Sequence, residues 1–415
     1  MKSLFNSLGS HYSFFESLSF LQAFLFAGKS EIFELEAHIK KTYSQVPQEA
    51  HVVTVYKGRD AIQLCLQVLL PKSSQVITQA FTCHAVQEAI VKAGMKVVFA
   101  DITAGTSNLS VATLTQALQK NPQAQAVLVQ HSLGIPADSY AIKKWCTQHN
   151  LLFIEDLAQG IGGVDSKGIP LGVTADAVVF SFGRDKIIDA VAGGAVLFKN
   201  PTTQQKETLQ TLRAAIVKLP FSVVFLDALY PFFTWLIRAT YDIGIGKIIF
   251  VIAQKLTILN SAVVSRTNRM SWMHPVYARF ALTRFATLNT QLTSRKEKAL
   301  AYFSQLQDSE ITLLHTLASI EAGSNLRFSV VLKDSAQVTQ VVRILKQNNI
   351  HVSDRWYRKA VDSGNQNYPS EYVTGSCPNA EFLAERVLNL PTHRFVTKQH
   401  IETITTLLKQ VAGEK

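Results

Sequence analysis

The chain has 415 residues, a length that at roughly 150 residues per domain implies two or three domains. It is apolar (47% hydrophobic, 24 Phe), sparsely charged (17%) and basic, with 41 Lys and Arg against 30 Asp and Glu for a formal +11. This excludes intrinsic disorder, which needs low hydrophobicity, and points to an anionic partner: a phosphate, a lipid headgroup or nucleic acid.

The N-terminal 26 residues form an apolar extension that contains Glu16. They lack a compact basic start, a clean apolar run and a small-residue cleavage site, so they read as part of the mature protein. From about 50 to 200, short apolar runs alternate with helix-length segments. The strand candidates are VVTVY (52–56), QVIT (75–78), KVVFAD (96–101), AVLVQH (126–131), LLFIED (151–156), ADAVVFSF (175–182) and GAVLF (194–198); helices are expected over 60–70, 84–93, 112–119 and 138–148. Unbroken apolar runs suit strands buried on both faces, and the alternation predicts an α/β fold with a mostly parallel sheet. Ligands of such sheets lie beyond the carboxyl ends of the strands, which singles out Gly58, Thr82, His131, Asp156 and Ser181.

Residues 216–256 break the pattern with a Phe-, Trp-, Tyr- and Ile-rich stretch. One long helix is expected over 275–307, then a smaller α/β unit with a strand at 327–334 and helices over 335–348 and 398–411. The expected division is an extension over 1–26, a large domain over 27–285 carrying the 216–256 insertion, and a small domain over 286–415. Cys65, Cys83, Cys146 and Cys377 are too dispersed for a disulfide framework, no zinc-site spacing occurs and no metal is expected. The basic residues are likewise dispersed, with no helix-turn-helix or zinc-finger pattern, so nucleic acid is not an expected partner.

Two segments carry chemistry. Asp156 ends LLFIED, and Lys186 follows Ser181 in FSFGRDK, one crossover unit further on. A lysine and a carboxylate at neighbouring strand ends suit pyridoxal phosphate: the amine condenses with the aldehyde and moves protons, and the carboxylate keeps the ring nitrogen protonated. From spacing alone the plainer reading, a surface lysine and a helix-capping Asp, comes first. The other segment is Lys57-Gly58-Arg59-Asp60-Ala61, where a strand turns into a helix. Its free N–H groups can hold an anion, with Arg59 and Ser181 adding a charge and a hydroxyl. The plainer alternative is an ordinary joint capped by Asp60.

Taken together, these segments resemble the DegT/DnrJ/StrS group of PLP-dependent sugar aminotransferases, of aspartate-aminotransferase fold type I. The family's Gly-[Ser/Thr]-x-Ala phosphate turn falls on Gly58–Ala61 and its Pro-x-Tyr-Thr-Phe segment on Gln79–Cys83. Its His-x-x-Gly-x-Pro-Ala-Asp element is His131–Asp138, and its Ile-Glu-Asp-x-Ala-Gln is Ile154–Gln159. Phe-Ser-Phe-x-x-x-Lys is matched by Phe180–Lys186, followed by Gly193-Gly194. Asn268-Arg269-Met270 resembles Asn-x-Arg-Met, and Cys377–Glu381 with Leu390–His393 resembles the family's ending. The resemblance implies pyridoxal 5′-phosphate as cofactor, Lys186 and Asp156 as catalytic residues, and Gly58, Arg59, Asp60, Cys83, Gln159, Ser181 and Lys186 around the cofactor. It further implies that Asn268 reaches the partner's phosphate in a homodimer with a shared site. Glutamate as amine donor and a nucleotide- or lipid-linked keto-sugar as acceptor complete the expected substrates, for glycoconjugate synthesis in the cytoplasm.

Several positions depart from the pattern. Arg59 replaces Ser/Thr, and Cys83 stands where an aromatic stacks on the ring, leaving Phe81 and His84 as substitutes. Arg213 is the nearest candidate for an Arg-x-His-Gly element, and Arg355, Tyr357 and Arg358 are candidate phosphate or sugar contacts. The 216–256 insertion nearly doubles the usual distance to Asn268. Asp227 and Pro231 interrupt its apolar run, and a central Asp costs about 2.5–3.5 kcal/mol in a membrane span. A hairpin in the membrane interface is therefore expected, with Lys218, Arg238, Lys247 and Lys255 near headgroups; a buried protein contact and, last, a true span are the alternatives. The rival function is a membrane-associated scaffold with little turnover.

Overall fold

The computed structural model describes residues 2–260, 264–352, 356–364 and 367–413. Seven apolar segments form one sheet: β1 (His51–Val55), β2 (Gln75–Gln79), β3 (Lys96–Ala100), β4 (Ala124–Gln130), β5 (Leu152–Asp156), β6 (Ala177–Ser181) and β7 (Gly194–Phe198). Their order is β1-β7-β6-β5-β4-β2-β3, and β7 alone runs antiparallel to its neighbours. The mostly parallel α/β sheet is as expected. Its strands have continuous apolar runs because separate cores cover both faces.

The helices of this part are α1 (Phe14–Phe26), α2 (Lys29–Tyr43), α3 (Gly58–Leu69), α4 (His84–Lys92), α5 (Val111–Lys120), α6 (Ser139–Gln148), α7 (Thr203–Ala215), α8 (Phe221–Thr240), α9 (Ile245–Lys255), α10 (Pro275–Ala286) and α11 (Leu288–Leu306). The single helix expected over 275–307 is two. Thr287 (φ −108°, ψ 10°) leaves helical geometry, while the apolar spacing runs on with little change of phase across it.

The C-terminal part holds an antiparallel sheet of Thr312–Leu313, Arg327–Val331 and Val387–Pro391. Helices Ser335–Gln347 and Lys398–Ala412 pack against it through Val338, Leu345, Ile404 and Leu408. Two short pairings tie the parts together: Leu4–Phe5 with Ile350–His351, and Val361–Asp362 with Thr82–Cys83.

The insertion is a helical hairpin. α8 packs between α1 and α9, Phe24 lies against Phe221 and Phe225, and the Ser17 hydroxyl donates to the Pro231 carbonyl at 2.9 Å. Asp227 is fully buried, not an exposed interruption. Its oxygens accept from Tyr56 (2.8 Å) and Tyr277 (2.9 Å), and it ion-pairs Arg266 (3.1 Å) and Arg184 (3.4 Å). Arg238, expected near headgroups, turns inward instead and donates to the Tyr12 and Thr234 carbonyls.

Candidate functional site

Strand register assembles the site. Gln130 lies opposite Asp156, Ser181 opposite Gly194, and Gly194 opposite Val55, so the ends of β1, β4, β5 and β6 and the start of β7 meet at one edge. β1 enters α3 there with almost no turn: Lys57 is the N-cap and Gly58 the first helical residue. Asp60 is therefore in the first turn and does not cap the helix. The approach is so close that a Cβ on Gly58 would sit 2.7 Å from the Ser181 Cβ, and one on Gly194 2.5 Å from the Lys57 carbonyl oxygen. Glycine is required at both positions.

Beyond these ends lies a cavity of about 470 Å³. Its lining includes Gly58, Arg59, Thr82, Cys83, His131, Asp156, Gln159, Ser181 and Lys186, so the structure gathers the strand-end residues and most of the expected cofactor contacts. Asp156 is buried and accepts from the Ala158 N–H at 2.9 Å. Burial pushes its carboxyl pKa up, opposed by that hydrogen bond and by Lys186. Burial pushes the Lys186 amine down, opposed by Cys83, Asp156 and Asp185. The Lys186 ammonium sits 4.7 Å from the Trp356 ring centre.

Gln159 accepts from the Leu133 N–H at 2.7 Å and donates to the Tyr357 hydroxyl at 2.6 Å. His131 is fixed from both sides, its Nδ1 accepting from the Ala137 N–H at 3.1 Å and its Nε2 lying 3.2 Å from Glu155. Arg59 lines the cavity and is ion-paired to Glu88. The Asp60 carboxyl, with one oxygen buried and unbonded, is pushed up to about 6 by burial.

Other expected contacts lie elsewhere. Asn268 is exposed and does not line this cavity; its expected role belongs to a partner's site. Arg213 lies over Trp272, outside the cavity. The aromatic substitutes for Cys83 are not in the lining: Phe81 packs edge-on against Tyr357, and His84 stacks on Tyr368. Trp356 and Tyr357 are the aromatic rings in the lining. Arg358 lines the cavity as well, and Arg355 lies outside the described residues.

Sequence reasoning gave no role to Lys57, Arg184 or Asp185, which lie in the segments it singled out, and missed Ser7; all four are in the lining. Asp185 accepts from Ser7 and donates its N–H to Asp189 at 2.9 Å. Side-chain ligand atoms of His11, Asp185 and Asp189 lie within 4.8 Å of one another. Arg295, Arg284 and Arg327 crowd His11, and with burial they push its pKa down. Burial pushes the Asp185 carboxyl up, opposed by Arg327 and Arg184, and burial with the neighbouring Asp185 pushes Asp189 up to about 6.

The residues fit a phosphorylated aldehyde cofactor. Gly58 opens a cradle that a Cβ would fill, at the N–H end of a helix. The Ser181 hydroxyl has no hydrogen bond among the described residues. Lys57, pushed down to about 8 by burial, has no ion-pair partner among them; its amine lies 4.5 Å from the Tyr56 ring centre.

Similar proteins carry the same frame. A 32% identical stretch of 176 residues is shared with the pleiotropic regulatory protein of Geobacillus stearothermophilus, covering 41% of this chain and 46% of that protein. The chain thus spans about half the length of such relatives. The dTDP-4-amino-4,6-dideoxy-D-glucose transaminase of Shigella dysenteriae is 24% identical over 358 residues, 85% of this chain and 84% of its own. The Spr1654 structure from Streptococcus pneumoniae in its PLP form superposes with a TM-score of 0.68 at 18% identity, covering 96% of each chain. A family model matches residues 25–217 and 261–409, leaving out only the α8–α9 hairpin and the chain ends, and on that match the chain belongs to the DegT/DnrJ/EryC1/StrS aminotransferase family.

Proposed function

We propose that this chain is a pyridoxal-phosphate-dependent aminotransferase that moves an amino group from an amino acid, glutamate by family resemblance, to the keto carbon of a nucleotide-linked sugar. The observation that carries the proposal is the convergence of Lys186, Asp156 and the Gly58–Ser181 cradle on one cavity. Bound there, the cofactor supplies a carbonyl that condenses with amines and a ring that draws electrons.

The chain's own groups do the rest. The first N–H groups of α3, the Ser181 hydroxyl and the Lys57 ammonium hold the phosphate. The Asp156 carboxylate holds a proton on the ring nitrogen. Gln159, locked by Leu133 and Tyr357, would be a fixed polar contact for the cofactor. Lys186, its basicity lowered by burial, would hold the cofactor through its amine and, once freed by the donor, would serve as the base that takes the proton from the donor's α-carbon. Lys57, Arg59, Arg184, Lys186 and Arg358 outnumber the lining's acids Asp156, Asp185 and Asp362, and although Arg59, Arg184 and Arg358 pair with Glu88, Asp227 and Asp362, that balance suits an anionic acceptor. The Shigella relative, named for a dTDP-sugar, supports that acceptor class. Exposed Asn268 completes the site of a second subunit in a homodimer.

The test is an amine-transfer assay with glutamate and a panel of nucleotide-linked keto-sugars, alongside the protein's cofactor absorbance. Lys186→Ala is expected to abolish transfer and change the visible spectrum of the bound cofactor while the protein stays folded. Transfer or a spectrum identical to the parent's would refute the role of Lys186.

A further inference from the structure

We propose that the outward faces of α1, α8 and α9 form a docking surface for the headgroup–acyl boundary of an anionic lipid bilayer. α8 and α9 are the part of the chain that the family model leaves out, and α1 lies almost wholly before its start. The three helices pack side by side, and each keeps an apolar row in the open. On α1 the row includes Phe15 (75% exposed) and Leu18; on α8, Phe221 (70%) and Phe225; on α9, Ile248 (64%) and Ile252. The members of each pair are three or four residues apart, so each row is one helical face. Exposed apolar rows on three neighbouring helices mark an interaction site, not a scatter of surface residues.

Charge identifies the occupant. The three helices contain two acidic residues, Glu16 and Asp227. Both are drawn inward to arginines: Glu16 to Arg284 (2.6 Å) and Arg394, Asp227 to Arg184 and Arg266. The lysines face outward instead. Lys247 and Lys255 on α9, Lys218 before α8 and Lys29 after α1 are all exposed. A second copy docking by two-fold symmetry would set this lysine rim against itself. Anionic headgroups complement it, with the aromatic and aliphatic rows entering the acyl boundary beneath.

α8 is long and apolar enough to cross a bilayer. It does not do so here: its inner face holds Asp227 and Tyr230 in the protein core. The helices therefore lie on the membrane. Because Asp227 pairs with Arg184 of the cavity lining, a buried ion pair joins the docked helices to the cavity.

The experiment is co-sedimentation of the full chain with vesicles of phosphatidylcholine alone and of equimolar phosphatidylcholine and phosphatidylglycerol, with light scattering of the free protein. Binding to the anionic vesicles is expected. It should weaken at least about tenfold both for Ile248→Ser with Ile252→Ser and for Lys247→Glu with Lys255→Glu, with thermal unfolding unchanged because all four side chains are exposed. Three outcomes would overturn the proposal. One is no binding to either vesicle. Another is an oligomer of the free protein that the serine variant dissociates, which would mean that a second copy covers the face. The last is binding that survives alkaline carbonate extraction, which would mean that α8 spans.

Discussion

Replacing Asp227 by Leu separates two accounts of α8 by the sign of the effect. In the structure, Asp227 is the shared acceptor for two tyrosine hydroxyls and two guanidinium groups, with no exposure. Removing the carboxylate leaves both arginines buried without a counter-charge, and breaking a buried pair costs about 3–5 kcal/mol. Each stranded tyrosine hydroxyl adds up to about 1–3 kcal/mol. The terms do not add, because Arg184 keeps two bonds to Asn260 (2.8 and 2.9 Å) and Arg266 one to the Ile258 carbonyl (3.2 Å). A net loss of about 3–5 kcal/mol is therefore expected. Were α8 a lipid-embedded span, the same change would favour it by about 2.5–3.5 kcal/mol. Urea unfolding of the purified chain, followed by circular dichroism, measures the difference. A variant as stable as the parent, or more stable, would refute the hub. Asp227→Asn keeps the shape and tests the link to the cavity. Tyr56 precedes the phosphate turn and Arg184 stands two residues before Lys186, so cofactor affinity should fall about tenfold, equivalent to 1.4 kcal/mol.

Two further predictions concern the phosphate turn. Gly58→Ala puts a methyl group 2.7 Å from the Ser181 Cβ, so cofactor affinity measured by fluorescence titration should drop at least about tenfold with the fold intact. Ser181→Gly in the same chain should recover part of the loss, and an undiminished affinity in the single variant would sink the cradle. Lys57 sets a pH dependence. Burial holds its amine at about 8 against an ordinary 10.5, so between these values the unfolded chain binds more protons and the stability of the cofactor-free protein rises with pH. Binding an anion favours the charged amine, so inorganic phosphate should bind progressively more weakly as pH climbs past about 8. In Lys57→Met, calorimetry should find that dependence gone; an unchanged profile would assign it to another group.

The sequence was most informative where one local rule governs. Continuous apolar runs marked the seven strands because both sheet faces are covered, and once strand ends are known, parallel pairing brings Asp156, Ser181 and Gly58 to one edge. Trp356 and Asp362 reach the same cavity from a segment without periodicity, in which residue type alone marked Tyr357 and Arg358. It is positioned by the two-residue pairing of Val361–Asp362 with Thr82–Cys83, some 280 residues away in the chain, and no local pattern encodes such a contact. Ser7 was invisible for the same reason, since the N-terminal extension reads as apolar wherever it folds.

The insertion posed a different problem. α8 is apolar on nearly every side, and composition cannot tell a face that meets protein from one that meets lipid. Asp227 held the answer all along. An isolated carboxylate in an apolar helix is too costly to leave without partners in either medium. Its presence therefore requires donors from elsewhere in the fold, and the side of the helix that carries it must face the protein. The inner face is therefore the one with Asp227, Tyr230 and Pro231, leaving Phe221 and Phe225 outside. Applied to α1, the same reasoning turns Glu16 toward Arg284 and Arg394 and leaves Phe15 and Leu18 open. In both helices the single acid, not the many apolar residues, decides which way the helix faces.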